Sequence, residues 1–347
     1  MHPSLLQIEE GDQSPLVGIA KLASEGESLR QGHLVEYFTL PARSLLSRCT
    51  SPRVPFDWTI NPYRGCEFAC KYCYARYTHE FMEMRDGADF ERKIYVKQQA
   101  AWLLRQDLKK VKRGEEIAIG TATDPYQPAE KRFEITRGIL EELALHQGLD
   151  IGIVTKSNLI ARDAALLRQI SEHNSLFVNL TVTTVNTRLA RILEPRAPRP
   201  DLRLDAVREL NAAGVDTGVI CAPVLPGITD SPAALDAVVR AAKQAGAKYI
   251  YANPLFLKPC SASVFLPFLE KEFPQLVEEY RKRFAGRAFV SKTYSKRISE
   301  LMTGLRKKHG ISRQFSSRSE SVHPPQEVDQ MELFAGAAML LQGTAGG

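Results

Sequence analysis

From residue 59 onward, short β-branched or apolar runs alternate with longer amphipathic stretches. The short runs at 59–61, 116–120, 150–155, 175–183, 216–222 and 248–253 predict strands. Between them, 96–109, 132–146, 161–173, 201–213 and 231–245 place apolar residues at i, i+3 and i+4, which predicts helices. In the second of these, Phe133, Ile135, Ile139, Leu140 and Leu143 recur on one face. Helices between strands force parallel pairing, because a parallel connection needs a crossover. Six such units predict an α/β fold with an incomplete barrel over 51–255.

The flanks read differently. Residues 1–50 lack a sustained period and predict an irregular N-terminal extension with a short helix near 42–46. Beyond 255 the strands stop, and 265–284 and 293–308 predict helices within a C-terminal extension over 256–311, covering one side of the open barrel. Residues 312–347 open on a stretch rich in Ser, Pro and charge with little to bury, which predicts a disordered tail.

Composition narrows the class. Of 347 residues, 44% are hydrophobic and 25% charged, as in a globular, water-soluble chain. The N-terminal MHPSLLQIEEGDQSP has neither the basic nor the apolar part of a signal peptide. No run approaches the ~18 apolar residues of a spanning helix. These features predict a cytoplasmic protein with no membrane partner. A net charge of +6 permits a nucleic-acid partner without requiring one, since the basic residues are scattered.

The chemistry concentrates in NPYRGCEFACKYCYAR, where Cys66, Cys70 and Cys73 stand as C-x3-C-x2-C. Three thiolates so close can hold three corners of an iron–sulfur cube. No fourth cysteine lies nearby, and an open ligand position separates a reacting metal site from a closed structural one. A disulfide with a spare thiol needs a secreted context that nothing here suggests. A zinc site with His79 as fourth ligand is the stronger rival. Against it, the segment heads a long β/α alternation rather than a compact finger. Cys49, Cys221 and Cys260 are isolated and read as small packing residues.

In parallel α/β barrels the active site lies at the C-terminal ends of the strands. The predicted ends carry Thr121 to Tyr126, then Thr155-Lys156-Ser157, then Thr181, Thr183 and Thr184, and later Cys221-Ala222-Pro223 and Asn253-Pro254. Hydrogen-bonding groups and one cation thus share a rim with the cysteines. Thr123, Asp124 and Ser157 serve equally well as caps of following helices.

The cysteine spacing resembles the signature of the radical SAM superfamily, in which S-adenosylmethionine chelates the fourth iron. GTATDPYQPAEKRFEITR, VTKSNLIARD and APVLPGITD extend the likeness, in order over roughly 50–310, to its spore-photoproduct-lyase-like branch. The resemblance implies a partial (β/α)6 barrel, a [4Fe-4S] cluster and reductive cleavage of S-adenosylmethionine to a 5′-deoxyadenosyl radical. It also implies a flavodoxin- or ferredoxin-like electron donor. Tyr72 matches the aromatic position that flanks the adenine. Lys156 would meet the carboxylate of S-adenosylmethionine, Asp124 its ammonium, and Thr181 or Thr183 its ribose; Ser157 and Arg196 join the same cofactor set. Glu194 with Arg196 forms a second acid–base pair, with a surface ion pair as its rival reading.

The favoured substrate is damaged or modified nucleic acid. The alternatives are radical modification of a peptide or small metabolite, and a non-catalytic Cys/His zinc protein that binds nucleic acid. One departure stands out. Members of the branch that repair spore photoproduct carry a hydrogen-donating cysteine just after the second strand, where this chain has Gly120-Thr121-Ala122. Cys221, Tyr126 and Tyr251 are the replacement candidates. Near the C-terminus, Gln330, Met331, Leu333 and Phe334 resemble the peptide that bacterial proteins insert into the replication sliding clamp.

Overall fold

The computed structural model describes residues 16–31, 35–51, 54–84 and 86–311. Within them eleven strands form two sheets: β1 (Ser28–Gln31), β2 (Glu36–Thr39), β3 (Leu46–Arg48), β4 (Trp58–Ile60), β5 (Tyr63–Arg64), β6 (Lys93–Val96), β7 (Glu116–Ile119), β8 (Asp150–Thr155), β9 (Ser175–Thr181), β10 (Thr217–Val224) and β11 (Ile250–Pro254). The larger sheet runs β11-β10-β9-β8-β7-β4-β3. Its six strands from β4 through β11 pair in parallel, and β3 alone runs antiparallel, with Leu46 opposite Ile60 and Arg48 opposite Trp58. This is the mixed α/β fold with a parallel sheet that the alternation predicts.

Five helices supply the crossovers at Ala100–Asp107, Ile135–Leu143, Ala164–His173, Pro200–Ala212 and Pro232–Gln244. The last two begin with proline, whose missing N–H costs nothing at a helix start. Ser231 caps one of them by accepting from the Ala234 N–H at 3.2 Å. Ile117, Ile119, Ile151, Ile153, Val178, Leu180 and Val219, none more than 1% exposed, form the middle of the apolar core.

Several boundaries move for local reasons. The helix expected over 96–109 begins at Ala100, because Lys93–Val96 is a strand of the smaller sheet, ordered β1-β2-β6-β5. The one over 132–146 is broken at Glu134, whose φ is +50°. The one over 265–284 becomes Pro259–Glu272 and Val277–Arg283, interrupted where Pro274 disfavours helical geometry at Phe273. A short helix at Thr187–Leu193 has no counterpart among the expectations.

Among its described residues the N-terminal extension is not irregular. It holds a helix at Gly18–Ser24 and strands β1, β2 and β3. The helix expected near 42–46 is absent: the Leu45 and Leu46 N–H groups and the Ser44 hydroxyl all donate to Asp107 Oδ2, at 2.7, 3.1 and 2.7 Å. Those donors are satisfied by a carboxylate about sixty residues away, which no local period reveals. Residues 312–347, with Gln330, Met331, Leu333 and Phe334, lie outside the described residues. Among the described residues no helix is long and apolar enough to cross a membrane.

Candidate active site

The cysteine loop leaves β5 through Gly65, whose φ is +83°. A Cβ there would sit 2.7 Å from the Lys93 carbonyl oxygen and 2.9 Å from that of Phe90, so the chain turns beneath β6 only as glycine. Cys66 N–H donates to Phe90 O at 2.9 Å, and Ser261 Oγ donates to Cys73 O at 2.9 Å. Arg76, 2% exposed, holds the loop from below by donating to Cys70 O at 3.1 Å and to Glu91 and Gly87 O at 2.5 Å each.

Cys66 and Cys70 are 9% and 7% exposed, in an apolar shell with Phe68, Leu193, Leu225, Leu255 and Phe265. Burial pushes all three thiols above the ordinary cysteine value, Cys70 up to about 12. Soft thiols in a dry pocket suit an iron–sulfur cluster, which supplies the positive charge their ionisation needs. Among the described residues, no three His, Cys, Asp or Glu side chains gather closely enough to share a single ion. Three thiols, two of them buried and one partly buried, are a donor set that fits an iron–sulfur cluster.

His79 does not join the cysteines. Its ring lies edge-on to Phe90 and Tyr95, at 5.2 and 6.2 Å between centroids, with Nε2 3.1 Å from Lys93 O. It is 2% exposed, and burial pushes its pKa down to about 4. The zinc alternative loses its fourth ligand.

The ends of β7, β8 and β9 reach the same loop. Thr123 Oγ1 donates to Gly65 O at 2.5 Å, and Gln127 bridges Gly65 O and Thr123 Oγ1 at 3.1 and 2.9 Å. Gln127 Oε1 accepts the Glu67 N–H at 3.0 Å, and Glu67 Oε1 accepts that of Ala129 at 2.8 Å. Gly120, with φ +90° and a Cβ position 2.5 Å from Val154 O, makes the turn that brings Thr123 there.

The expected cofactor residues divide into two groups. Lys156 and Thr181 keep functional atoms uncommitted. Lys156 Nζ lies 5.8 Å from the Tyr72 ring centroid. Burial opposes its charge, but Cys70 and Glu194 outweigh burial and leave its pKa raised. The Thr181 side chain is buried, and its hydroxyl has no bond among the described residues. The others make hydrogen bonds within the protein. Asp124 accepts from Thr155 Oγ1 at 2.6 Å, Tyr126 N–H at 2.9 Å and Lys156 N–H at 2.7 Å, three of the roughly four acceptor positions of a carboxylate. Ser157 Oγ accepts the Leu159 N–H at 3.3 Å, as a cap. Thr183 Oγ1 is shared among Tyr72, Glu194 at 2.9 Å and Ala222 O at 3.0 Å.

The Tyr72 hydroxyl bonds Glu194 and Thr183. The expected pairing of Arg196 with Glu194 needs correction. Arg196 is exposed and does not pair with Glu194. Arg203 does: its Nη2 donates to Glu194 Oε2 at 2.5 Å, Nη1 to Thr181 O at 3.0 Å and Nε to Pro198 O at 2.7 Å. Glu194 was visible in the sequence as half of an ion pair, whereas its true partner lies nine residues on in a helix (Pro200–Ala212). Gln127 and Glu67 carried no signal beyond proximity to the motif. Of the relay candidates, Cys221 and Tyr126 belong to the main apolar core, and Tyr251 is half-buried on β11, in register through Ile220 with Thr181.

A partial parallel barrel with a buried three-cysteine loop at the C-terminal ends of its strands defines a class of enzymes that house a metal cluster at the barrel mouth. The family profile of the radical SAM superfamily matches residues 60–238, and the chain belongs to that superfamily of enzymes. Membership implies S-adenosylmethionine and an iron–sulfur cluster. An uncharacterised protein of Mycobacterium tuberculosis is 35% identical over 260 residues, covering 75% of this chain and 76% of its own length. One of Methanocaldococcus jannaschii is 28% identical over 233 residues, covering 67% and 83%. Among solved structures, spore photoproduct lyase complexed with dinucleoside spore photoproduct shares the fold, with a TM-score of 0.59, 15% identity and 79% of each chain covered.

Proposed function

We propose that this enzyme holds a [4Fe-4S] cluster on Cys66, Cys70 and Cys73 and binds S-adenosylmethionine at the iron they leave open. With an electron from a flavodoxin- or ferredoxin-like donor, the bound pair supplies reductive cleavage of a C–S bond, giving methionine and a 5′-deoxyadenosyl radical that takes hydrogen from the substrate. The observation that carries this reading is the buried thiol loop facing Lys156 and Thr181 across one rim. Lys156 receives the methionine carboxylate and Thr181 Oγ1 meets the ribose. Glu194, fixed by Arg203, orients Tyr72 and Thr183 behind that pocket. Phe68, Leu193, Leu225 and Leu255 exclude water, which a reactive intermediate requires.

The substrate class is damaged or modified nucleic acid. Support comes from the ordered likeness over 50–310, the net charge of +6 and the dinucleoside lesion that the similarly folded lyase binds. Anaerobic reconstitution tests the first part. About four irons and matching sulfide per chain, with 5′-deoxyadenosine formed on adding S-adenosylmethionine and reductant, are expected. Cys66→Ala, Cys70→Ala and Cys73→Ala should each abolish both. A preparation that binds no sulfide overturns the reading. Deuterium transfer between labelled irradiated DNA and 5′-deoxyadenosine tests the substrate; transfer only from peptide would replace it.

A further inference from the structure

The rim carries a second feature, away from the cysteines, that the radical chemistry does not use. Helix Val277–Arg283 sits on the turn after β10, where Tyr280 donates its hydroxyl to Pro226 O at 2.7 Å. The segment that follows lies beside the end of β11: Leu257 N–H donates to Ala288 O at 2.9 Å, and Phe256 bridges to Phe289. Between them opens a cavity of about 280 Å³ lined by Glu279, Lys282, Arg283, Arg287 and Ser291.

Its charge is one-sided. Glu279, the single acid, is taken by Arg283. Among the described residues neither Lys282 nor Arg287 has an ion pair, and Arg283 Nε is buried without a partner. Ser291 begins the 18-residue helix Lys292–His309, which has no acidic residue in its first turn. The positive end of that helix therefore adds to the two cations without an ion pair, Lys282 and Arg287, instead of being neutralised. Such a cavity selects an anion.

Aromatic surface connects it to the cysteine loop. Phe289, 41% exposed, stacks on Phe256 with centroids 4.4 Å apart. Phe256 lies 6.2 Å from the ring of Tyr74, also 41% exposed, which follows Cys73 directly. Cations that track phosphates beside aromatic faces that stack bases are what a single nucleic-acid strand needs.

We propose that Lys282, Arg283, Arg287 and the start of helix Lys292–His309 anchor a backbone phosphate of an unpaired nucleic-acid strand. Phe289, Phe256 and Tyr74 stack its bases on the way to the barrel mouth. This rests on the nucleic-acid reading above and adds the place where the strand is held.

The test is fluorescence anisotropy of the reconstituted full chain with labelled single-stranded DNA, single-stranded RNA and duplex across a salt series. The Lys282→Ala/Arg287→Ala variant should lose at least about tenfold in single-strand affinity, with a salt slope shallower by about one per cation removed. Phe289→Ala should weaken binding with an unchanged slope. Lys248→Ala, at the opposite end of the barrel, should bind as the parent. Parent-like affinity in the double variant, or an equal loss in Lys248→Ala, overturns the proposal. So does competition by inorganic phosphate at concentrations matching the strand's own phosphate. Iron content and 5′-deoxyadenosine formation in the same samples separate the outcomes, since both should stay at parental levels even where strand binding is lost.

Discussion

Arg203 donates to Glu194 at 2.5 Å, with each side chain only 1% exposed. A buried pair of this kind owes its tolerance to full satisfaction of both partners. Arg203 spends its other donors on Pro198 and Thr181 carbonyls, and Glu194 spends its other oxygen on Tyr72 and Thr183. Arg203→Met leaves the Glu194 carboxylate without its hydrogen-bonded counter-ion in a place water does not reach, at a cost of about 3–5 kcal/mol. Glu194→Gln in the same background should recover part of that loss, because the unpaired charge is gone. Denaturant midpoints of the two singles and the double form the cycle. A single-variant loss below about 1 kcal/mol would mean that the pair behaves as if it were on the surface.

His79 makes stability depend on pH in one direction. Burial holds its pKa at about 4, below the ordinary value near 6.5. As pH falls, the unfolded chain therefore takes up this proton first. The contribution is complete above about pH 6.5 and is lost toward pH 4, by about 3 kcal/mol in all. His79→Phe has no such group, so the advantage of the parent over the variant should shrink steadily across that window. Parallel stability curves for the two proteins would show that the imidazole is not held neutral.

The core of the fold was legible because its signals are local. Alternating runs place β8 at residues 150–155 and the crossover helix at Pro200–Ala212 within a residue of the expectation. The cysteine triplet was legible for the same reason: three thiols within eight residues need no tertiary information. What failed was set by distance along the chain. β2 exists because it pairs with β6, with Glu36 opposite Lys93, and residues 44–46 are fixed by Asp107. Arg196 looked like the partner of Glu194 because it is near in sequence, but a turn and the first residues of a helix carry Arg203 back instead. Asp124 and Ser157 have side chains equally suited to a ligand or a cap, and both make hydrogen bonds within the protein.

Gly65 tests whether the loop's shape, apart from its thiols, governs cluster loading. Gly65→Ala puts a methyl 2.7 Å from Lys93 O at a φ of +83°. Strain of this kind costs about 1–3 kcal/mol before the clash is relieved. The loop must then shift against β6 or lose the Cys66 N–H bond to Phe90 O. Reconstituted Gly65→Ala should hold clearly less iron per chain than the parent, although all three cysteines remain. Full iron loading with unchanged stability would show that the turn tolerates a side chain.

Lys156 separates holding the cluster from holding the substrate of its chemistry. No cysteine depends on it for a hydrogen bond among those described, so Lys156→Met should take up iron and sulfide as the parent does. Removing the cation should instead weaken S-adenosylmethionine binding. A hydrogen bond to a charged group contributes about 1.5–3 kcal/mol, which corresponds to roughly a tenfold to hundredfold loss of affinity. Thr181→Val should weaken binding less, since a neutral hydroxyl contributes about 1 kcal/mol. Anaerobic calorimetry with S-adenosylmethionine reads both. If Lys156→Met loses the cluster itself, the lysine supports the thiolates and the cofactor carboxylate has another partner. If affinity is unchanged while iron is retained, the rim at the end of β8 is not where the amino acid half of the cofactor binds.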